Sequence, residues 1–292
     1  MTTIPSTPRE RIATQCVCCG NMQLQASPAI LMPFVAHRVF GWRPVVIDAS
    51  WGLNTIANGH AYSICNSLYC GVCDFLFLDM RFSDAELSRL YQDYRGPDYV
   101  ELRELYEPGY RERNRLLLAD IPYLDQIENF IAPHIAPNPA ILDWGGDTGK
   151  NTPFKSKNKC LHIYDISQKP TIAGAKSVSA QETLASAYDL IVCSEVLEHV
   201  PYPCDILQAI CLRMDKSSTL YLEVPHEPVM QEDKNTRLKN KKHWHEHINF
   251  FSISSMEKLL DQCTLNIINS QSTAIKTDNE NFKILQIIAK LK

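Results

Sequence analysis

The chain has 292 residues, 45% hydrophobic and 21% charged, with a net charge of −4 at neutral pH. That length accommodates one large α/β domain plus a small satellite, and the acidic balance disfavours a protein that grips nucleic-acid phosphates. No apolar run approaches the ~18–20 residues needed to span a bilayer, and residues 1–10 lack the basic-then-apolar order of a signal peptide. The expected compartment is the cytoplasm, where the eleven cysteines serve as reduced thiols or metal ligands.

Residues 1–82 are rich in turns, cysteine and aromatics and carry no long helical period. Cys16 and Cys19, followed by Gly20, and Cys70 and Cys73 form two C-x2-C pairs. That is the ligand spacing of a tetrahedral four-thiolate zinc site, because each tight turn aims two sulfurs at one metal. Cys18 and Cys65 are alternate ligands through less usual spacings. The roughly fifty residues between the pairs read as an elaboration carrying Trp42 and Trp51. Cys160, Cys193, Cys204, Cys211 and Cys263 stand among apolar residues, where cysteine behaves as a small hydrophobe.

Residues 83–130 read as a helical linker that faces the substrate. Ser83 precedes Asp84 and Glu86 as an N-cap with carboxylates in the first turn. Gly96-Pro97 and Pro108-Gly109 are turn signals within a tyrosine-rich stretch. Tyr91, Tyr94, Tyr99, Tyr106 and Tyr110 are candidates to line an acceptor pocket, since tyrosine offers a flat face and a hydroxyl. Leu116, Leu117, Ile121, Leu124 and Ile127 give 111–130 a helical period, which Pro122 kinks or divides.

From 131 to the end, short apolar runs alternate with helical ones, the pattern of a parallel sheet. Strands are expected at 140–144, 160–164, 190–194, 219–224, 265–270 and 282–289. The last two are separated by too short a linker for a crossover helix, so they should pair antiparallel. The first strand runs into Asp143-Trp144-Gly145-Gly146-Asp147-Thr148-Gly149, expected as strand, turn and helix. Open α/β sheets bind ligands at that edge, where backbone N–H groups are exposed and glycine permits close approach. Asp165 ends the second strand, placed to accept both hydroxyls of a ribose. A dinucleotide fingerprint would need glycine where Trp144 stands.

Downstream, His243-Trp244-His245-Glu246-His247 is the densest ionisable and aromatic run in the chain. Histidine titrates near neutrality and suits a general base; a second metal site from His243, His245 and His247 is the alternative. Ser252 reads as a cap for a helix at 255–262. The preceding Lys234, Arg237, Lys239, Lys241 and Lys242 are candidates to grip a substrate diphosphate.

The 143–149 segment resembles the D-x-G-x-G-x-G turn of class I S-adenosylmethionine-dependent methyltransferases, with Asp147 at the middle glycine. Residues 187–200, AYDLIVCSEVLEHV, are similar to their fourth strand and following loop. The resemblance covers roughly 110–292. It implies a Rossmann-like α/β sheet with an antiparallel final strand, and S-adenosylmethionine held by Asp143, Gly145, Gly146, Gly149, Asp165, Ile166, Ser194 and Glu195. The paired cysteines and FSDAELSRLYQDY at 82–94 further resemble the zinc-containing sugar C-methyltransferases. Those enzymes also have a large carboxyl-terminal domain, which this chain ends too early to contain. That likeness implies a sugar acceptor, nucleotide-activated or a surface-polysaccharide precursor. It implies His247 as base, Glu246 as its orienting partner and His199 as a second acid/base or substrate contact. An O-methyltransferase of another small hydroxyl acceptor, or a non-catalytic zinc-dependent binding protein on a degenerate fold, are the alternatives. Three units are expected: a zinc-binding module at 1–82, the linker at 83–130 and the methyltransferase domain at 131–292.

Overall fold

Two sheets organise the chain. The computed structural model describes residues 10–44, 50, 63–118, 121–167, 169–276 and 281–292; Trp51 lies outside them. The amino-terminal part contains β1 (Gln25–Leu31), α1 (Pro33–Phe40), β2 (Cys65–Cys70) and β3 (Phe75–Leu78). Pro33 opens α1 with φ preset, and Gly41 closes it in the left-handed conformation that glycine adopts without strain. Next come α2 (Asp84–Tyr91), α3 (Pro97–Tyr106), α4 (Tyr110–Leu117) and α5 (Leu124–Ile131). Ser83 and Glu86 cap α2 reciprocally, side chain to backbone in both directions. The single helix expected over 111–130 is two, α4 and α5, separated at Pro122, whose ring and missing N–H stop a continuous ladder.

The second sheet begins with β4 (Ala140–Trp144), β5 (Cys160–Tyr164), β6 (Ala175–Ser177) and β7 (Leu190–Ser194), then α6 (Pro203–Cys211) and β8 (Thr219–Pro225). After α7 (Lys234–Asn240), two short strands, β9 (His243–Trp244) and β10 (Asn249–Phe250), leave for the first sheet. Then α8 (Ile253–Gln262), β11 (Leu265–Lys276) and β12 (Asn281–Leu291) return to the second. Its order is β11-β12-β8-β7-β4-β5-β6; β4 to β8 run parallel, and β12 is antiparallel to both neighbours. The fold is thus a Rossmann-like sheet with an antiparallel closing hairpin.

One sequence expectation fails here. No helix follows the glycine turn; 148–156 is a series of turns leading straight to β5. The segment holds Lys150, Lys155 and Pro153 with Phe154 as its lone large apolar side chain, so it has no stripe to bury. Whatever binds at the turn is met by loop N–H groups, without a helix dipole behind them.

The first sheet has the order β10-β3-β2-β1-β9, so both its edges come from the histidine segment far along the chain. On one face of the large sheet, Leu142, Ile191, Leu220 and Leu222 pack against Leu207 and Ile210 of α6 and Leu259 and Leu260 of α8. That core continues into Phe75, Phe77 and Phe251 beside the paired cysteines. On the other face Ile127 and Ile131 of α5 cover Ile141, Leu190 and Val192. The two sheets therefore share one core, and the histidine segment is pinned between them.

Candidate active site

The glycine turn leaves the carboxyl end of β4 at Gly145, with φ +84°; Gly149 has φ +81°. A Cβ on Gly145 would lie 2.4 Å from Val196 Cγ2, and one on Gly146 2.4 Å from the Asp143 carboxyl carbon. The loop after β7 thus rests directly on the turn, and no larger residue fits. Asp143 is buried beneath the turn and takes a hydrogen bond from Thr152; burial raises its carboxyl to about 7 against the pull of that bond. Asp143 therefore shapes the cradle from behind.

Asp165 sits across from it. Its two oxygens accept the backbone N–H groups of Asp147 (2.9 Å) and Ser167 (2.7 Å), each oxygen keeping a second lone pair. Ile166 beside it is 64% exposed, a flat apolar surface at a polar edge. Asp147 adopts φ +51°, so the chain uses aspartate in the left-handed position where the motif has glycine. Its Oδ1 is 2.9 Å from Lys169 Nζ, which pairs its charge, and Lys169 also lies 5.2 Å from the Tyr94 ring centroid. Left-handed strain and a half-exposed ion pair are comparable small terms of about 1 kcal/mol each. Asp147→Gly should accordingly hold adenosylmethionine within about threefold of wild type by calorimetry. Trp144 is buried against Tyr164 under Arg213.

Ser194 ends β7 and donates to Glu223 Oε1 at 3.0 Å. Glu223 is a buried carboxylate that also receives the hydroxyls of Tyr221 and Tyr123 and the amide of Gln286. Glu195 follows with φ +55°, exposed at the sheet edge.

The histidines gather at the same edge. His247 Nδ1 meets Glu227 Oε1 at 2.7 Å, and its ring lies 4.6 Å from that of His199 in an edge-to-face arrangement. Burial works against the charged imidazolium, but Glu227, Glu198 and Glu246 together raise the His247 pKa. Burial and the neighbouring His247 depress His199 to about 3. His199 Nδ1 faces Tyr91 Oη (2.7 Å) and the Glu246 carbonyl (3.1 Å).

The expected pairing of Glu246 with His247 is corrected. The Glu246 carboxylate is held by Arg103 through two bonds, at 2.7 and 3.2 Å, and despite burial that guanidinium keeps it down at about 2. Arg103 is itself enclosed by Phe34, Tyr99 and Tyr110 and also bonds Glu107. Removing one partner from a buried pair strands the others, so Arg103→Met should cost about 3–5 kcal/mol in denaturant unfolding. The true carboxylate partner, Glu227, comes from the end of β8. Pro228 after it forces extended backbone (φ −53°, ψ 142°), which turns the side chain toward His247. A glutamate just past a strand end and before proline was the available signal.

Other candidates are absorbed by packing. Tyr91 reaches His199 and Tyr94 packs between Tyr91 and Tyr99, whereas Tyr99 and Tyr110 are buried around Arg103 and Tyr106 bonds His37. In the basic run, Arg237 and Lys234 pair with Asp74, and Lys241 lies over Trp244 and Phe250. His243 is exposed and His245 faces Glu107 at 3.5 Å, so the three-histidine metal site does not assemble.

The four cysteines do converge. Cys16 and Cys73 sulfurs are 3.6 Å apart, as are those of Cys19 and Cys70, and all four lie within 4.8 Å of one another. Thiolates around a tetrahedral ion with ~2.3 Å bonds are about 3.8 Å apart, so the group is the right size for zinc. Each C-x2-C turn closes through a left-handed residue, Gly20 (φ +72°) and Asp74 (φ +58°). Cys65 instead donates to the Ala29 carbonyl, and Cys18 is buried outside the group.

A glycine cradle at the β4 edge, an acidic residue ending β5 and a titratable centre after β7 and β8 are the parts of a methyl-transfer enzyme. The chain belongs to the methyltransferase-domain family, whose model matches residues 110–270; it is an S-adenosylmethionine-dependent methyltransferase. Among solved structures it is similar to the 1,6-didemethyltoxoflavin N1-methyltransferase of Burkholderia thailandensis, solved with S-adenosylhomocysteine (13% identity, 80% of this chain and 98% of that one, TM-score 0.49). It is also similar to the magnesium protoporphyrin IX methyltransferase of Synechocystis (15% identity, 66% and 99%, TM-score 0.44). No curated protein matches the chain. Among the described residues no helix is long and apolar enough to cross a membrane.

Proposed function

We propose that the chain methylates a sugar, nucleotide-activated or a surface-polysaccharide precursor, with His247 as general base. The observation that carries this is the His247–Glu227 pair at 2.7 Å. The carboxylate fixes the imidazole tautomer with Nδ1 protonated, leaving Nε2 as the basic nitrogen. Glu227 is a positioning residue. His199 and Tyr91 border the centre and offer ring and hydroxyl contacts to an acceptor.

S-Adenosylmethionine, when bound, supplies an electrophilic methyl on a sulfonium. Gly145, Gly146 and Gly149 would admit it to the backbone, Asp165 would take the ribose hydroxyls and Ile166 would cover the adenine. Asp143 supports the cradle, and Ser194 and Glu195 border it at the end of β7. The acceptor's proton passes to His247 Nε2 as its oxygen or carbon takes up the methyl, and the carbon–sulfur bonding pair leaves with sulfur. Glu227 also borders a cavity of about 220 Å³ that Pro225, Ile275 and Phe282 help to line. The sugar assignment rests on the resemblance of the paired cysteines, the 82–94 segment and Glu246-His247 to the sugar C-methyltransferases. We assign a structural zinc ion to Cys16, Cys19, Cys70 and Cys73. In this reading residues 1–82 are the zinc module, joined through 83–130 to the methyltransferase domain at 131–292.

Incubation with adenosylmethionine and a panel of nucleotide sugars, read by mass spectrometry, tests the substrate class. One sugar should gain a single methyl group in step with adenosylhomocysteine. Methylation confined to non-sugar acceptors would overturn the assignment.

A further inference from the structure

We infer that Glu198, His199 and His247 form a binding site for a divalent transition-metal ion, and that an ion there blocks the base. One carboxylate oxygen and one nitrogen from each ring lie within 4.8 Å of one another. Glu198 is 1% exposed, and neither of its oxygens has a hydrogen-bond partner. An unpartnered buried carboxylate is costly, so what it faces matters.

What it faces are two lone pairs. His199 Nδ1 lies 3.1 Å from the Glu246 carbonyl, which can only accept, and 2.7 Å from the Tyr91 hydroxyl, which can accept as well as donate; with the proton on Nδ1, Nε2 is left bare. That Nε2 is 3.5 Å from Glu198 Oε1. His247 is set the same way, its Nδ1 engaged by Glu227. With both rings neutral and their protons on Nδ1, three electron-pair donors converge, an arrangement that a cation resolves.

The outer partners fit too. Metal-binding histidines characteristically give their second nitrogen to a carboxylate or carbonyl, which orients the ring; Glu227 and the Glu246 carbonyl do this here. Two imidazoles and one carboxylate suit zinc, cobalt or nickel, with open positions for water. Ligand atoms around such an ion sit about 3.4 Å apart at ~2.1 Å bonds, so small side-chain rotations close the group. His247 is 32% exposed on its side chain, which gives an ion a way in. The cysteine group is separate in donors and in place, so the two sites are distinguishable by spectrum.

Binding through Nε2 leaves His247 no lone pair for a proton. This half of the inference rests on the base assignment above; the binding half does not. The test is cobalt titration of the zinc-loaded protein. One further equivalent should bind with weak visible d–d absorption and no thiolate charge-transfer band, and turnover should fall in step with occupancy. Glu198→Gln, its fold checked by circular dichroism, should weaken that binding at least about tenfold. Absence of the second cobalt spectrum, or unchanged binding in Glu198→Gln, would overturn the site. Full occupancy with undiminished turnover would overturn the blocking role, and with it the assignment of His247 as base, while leaving the site in place.

Discussion

Replacing His247 with asparagine is expected to lower turnover by about two to four orders of magnitude, the usual contribution of a positioned general base. Affinity for adenosylmethionine, read by calorimetry, should stay at the wild-type level. The separation follows from geometry: His247 lies after β8, whereas the cradle is built by the β4 and β5 loops and covered by Val196. Glu227→Gln keeps the hydrogen bond and removes the charge, so it should lower turnover by a smaller factor, roughly tenfold. If His247→Asn turned over as fast as wild type, the base would have to be sought elsewhere. If Glu227→Gln lost more than His247→Asn, the order of the pair would be reversed.

Stripping metal from the cysteine group should have the larger effect on stability. Cys16, Cys70 and Cys73 are buried in the same apolar cluster as Phe75, Phe77 and Phe251, which joins the first sheet to the methyltransferase sheet. Four uncompensated thiols there leave two turns with nothing to hold them together. Structural zinc is worth about 10–16 kcal/mol in isolated zinc-finger peptides, and even a third of that would lower the melting temperature by roughly 10–20 °C in a protein of this size. A strong chelator, or Cys73→Ser, should show the loss in a thermal melt, and one zinc per chain should be found by elemental analysis of protein purified without added metal. Because β9 and β10 are edge strands of that sheet, turnover should fall along with stability. A chelated protein with an unchanged melt would remove zinc from the account.

The catalytic half was legible because β4, β7 and β8, buried on both faces, read as continuous apolar runs; β6, three residues long and largely exposed, carried no such run, and β11 extends to Lys276 beyond the expected 265–270. Gly145 and Gly149 were legible because left-handed backbone demands glycine. The amino-terminal sheet was not, since its edge strands are two residues each and come from the histidine segment, and no local pattern announces such pairing. The helix after the turn was over-read from the motif; its residues lack an apolar stripe. Adjacency in sequence suggested Glu246 for His247, but the two lie in the bend between β9 and β10 and their side chains take different partners. Glu246 turns to Arg103, and Glu227 and Glu198 reach the histidines only because β7 and β8 end side by side.

The measurement closest to the central claim is calorimetric titration with S-adenosylmethionine of the wild type and of Gly145→Leu. The wild type should bind one molecule per chain. The variant, whose side chain would meet Val196 in a left-handed backbone, should bind none while its far-ultraviolet circular dichroism is retained. Equal affinity in the two proteins would contradict the placement of the cofactor at the 143–149 turn.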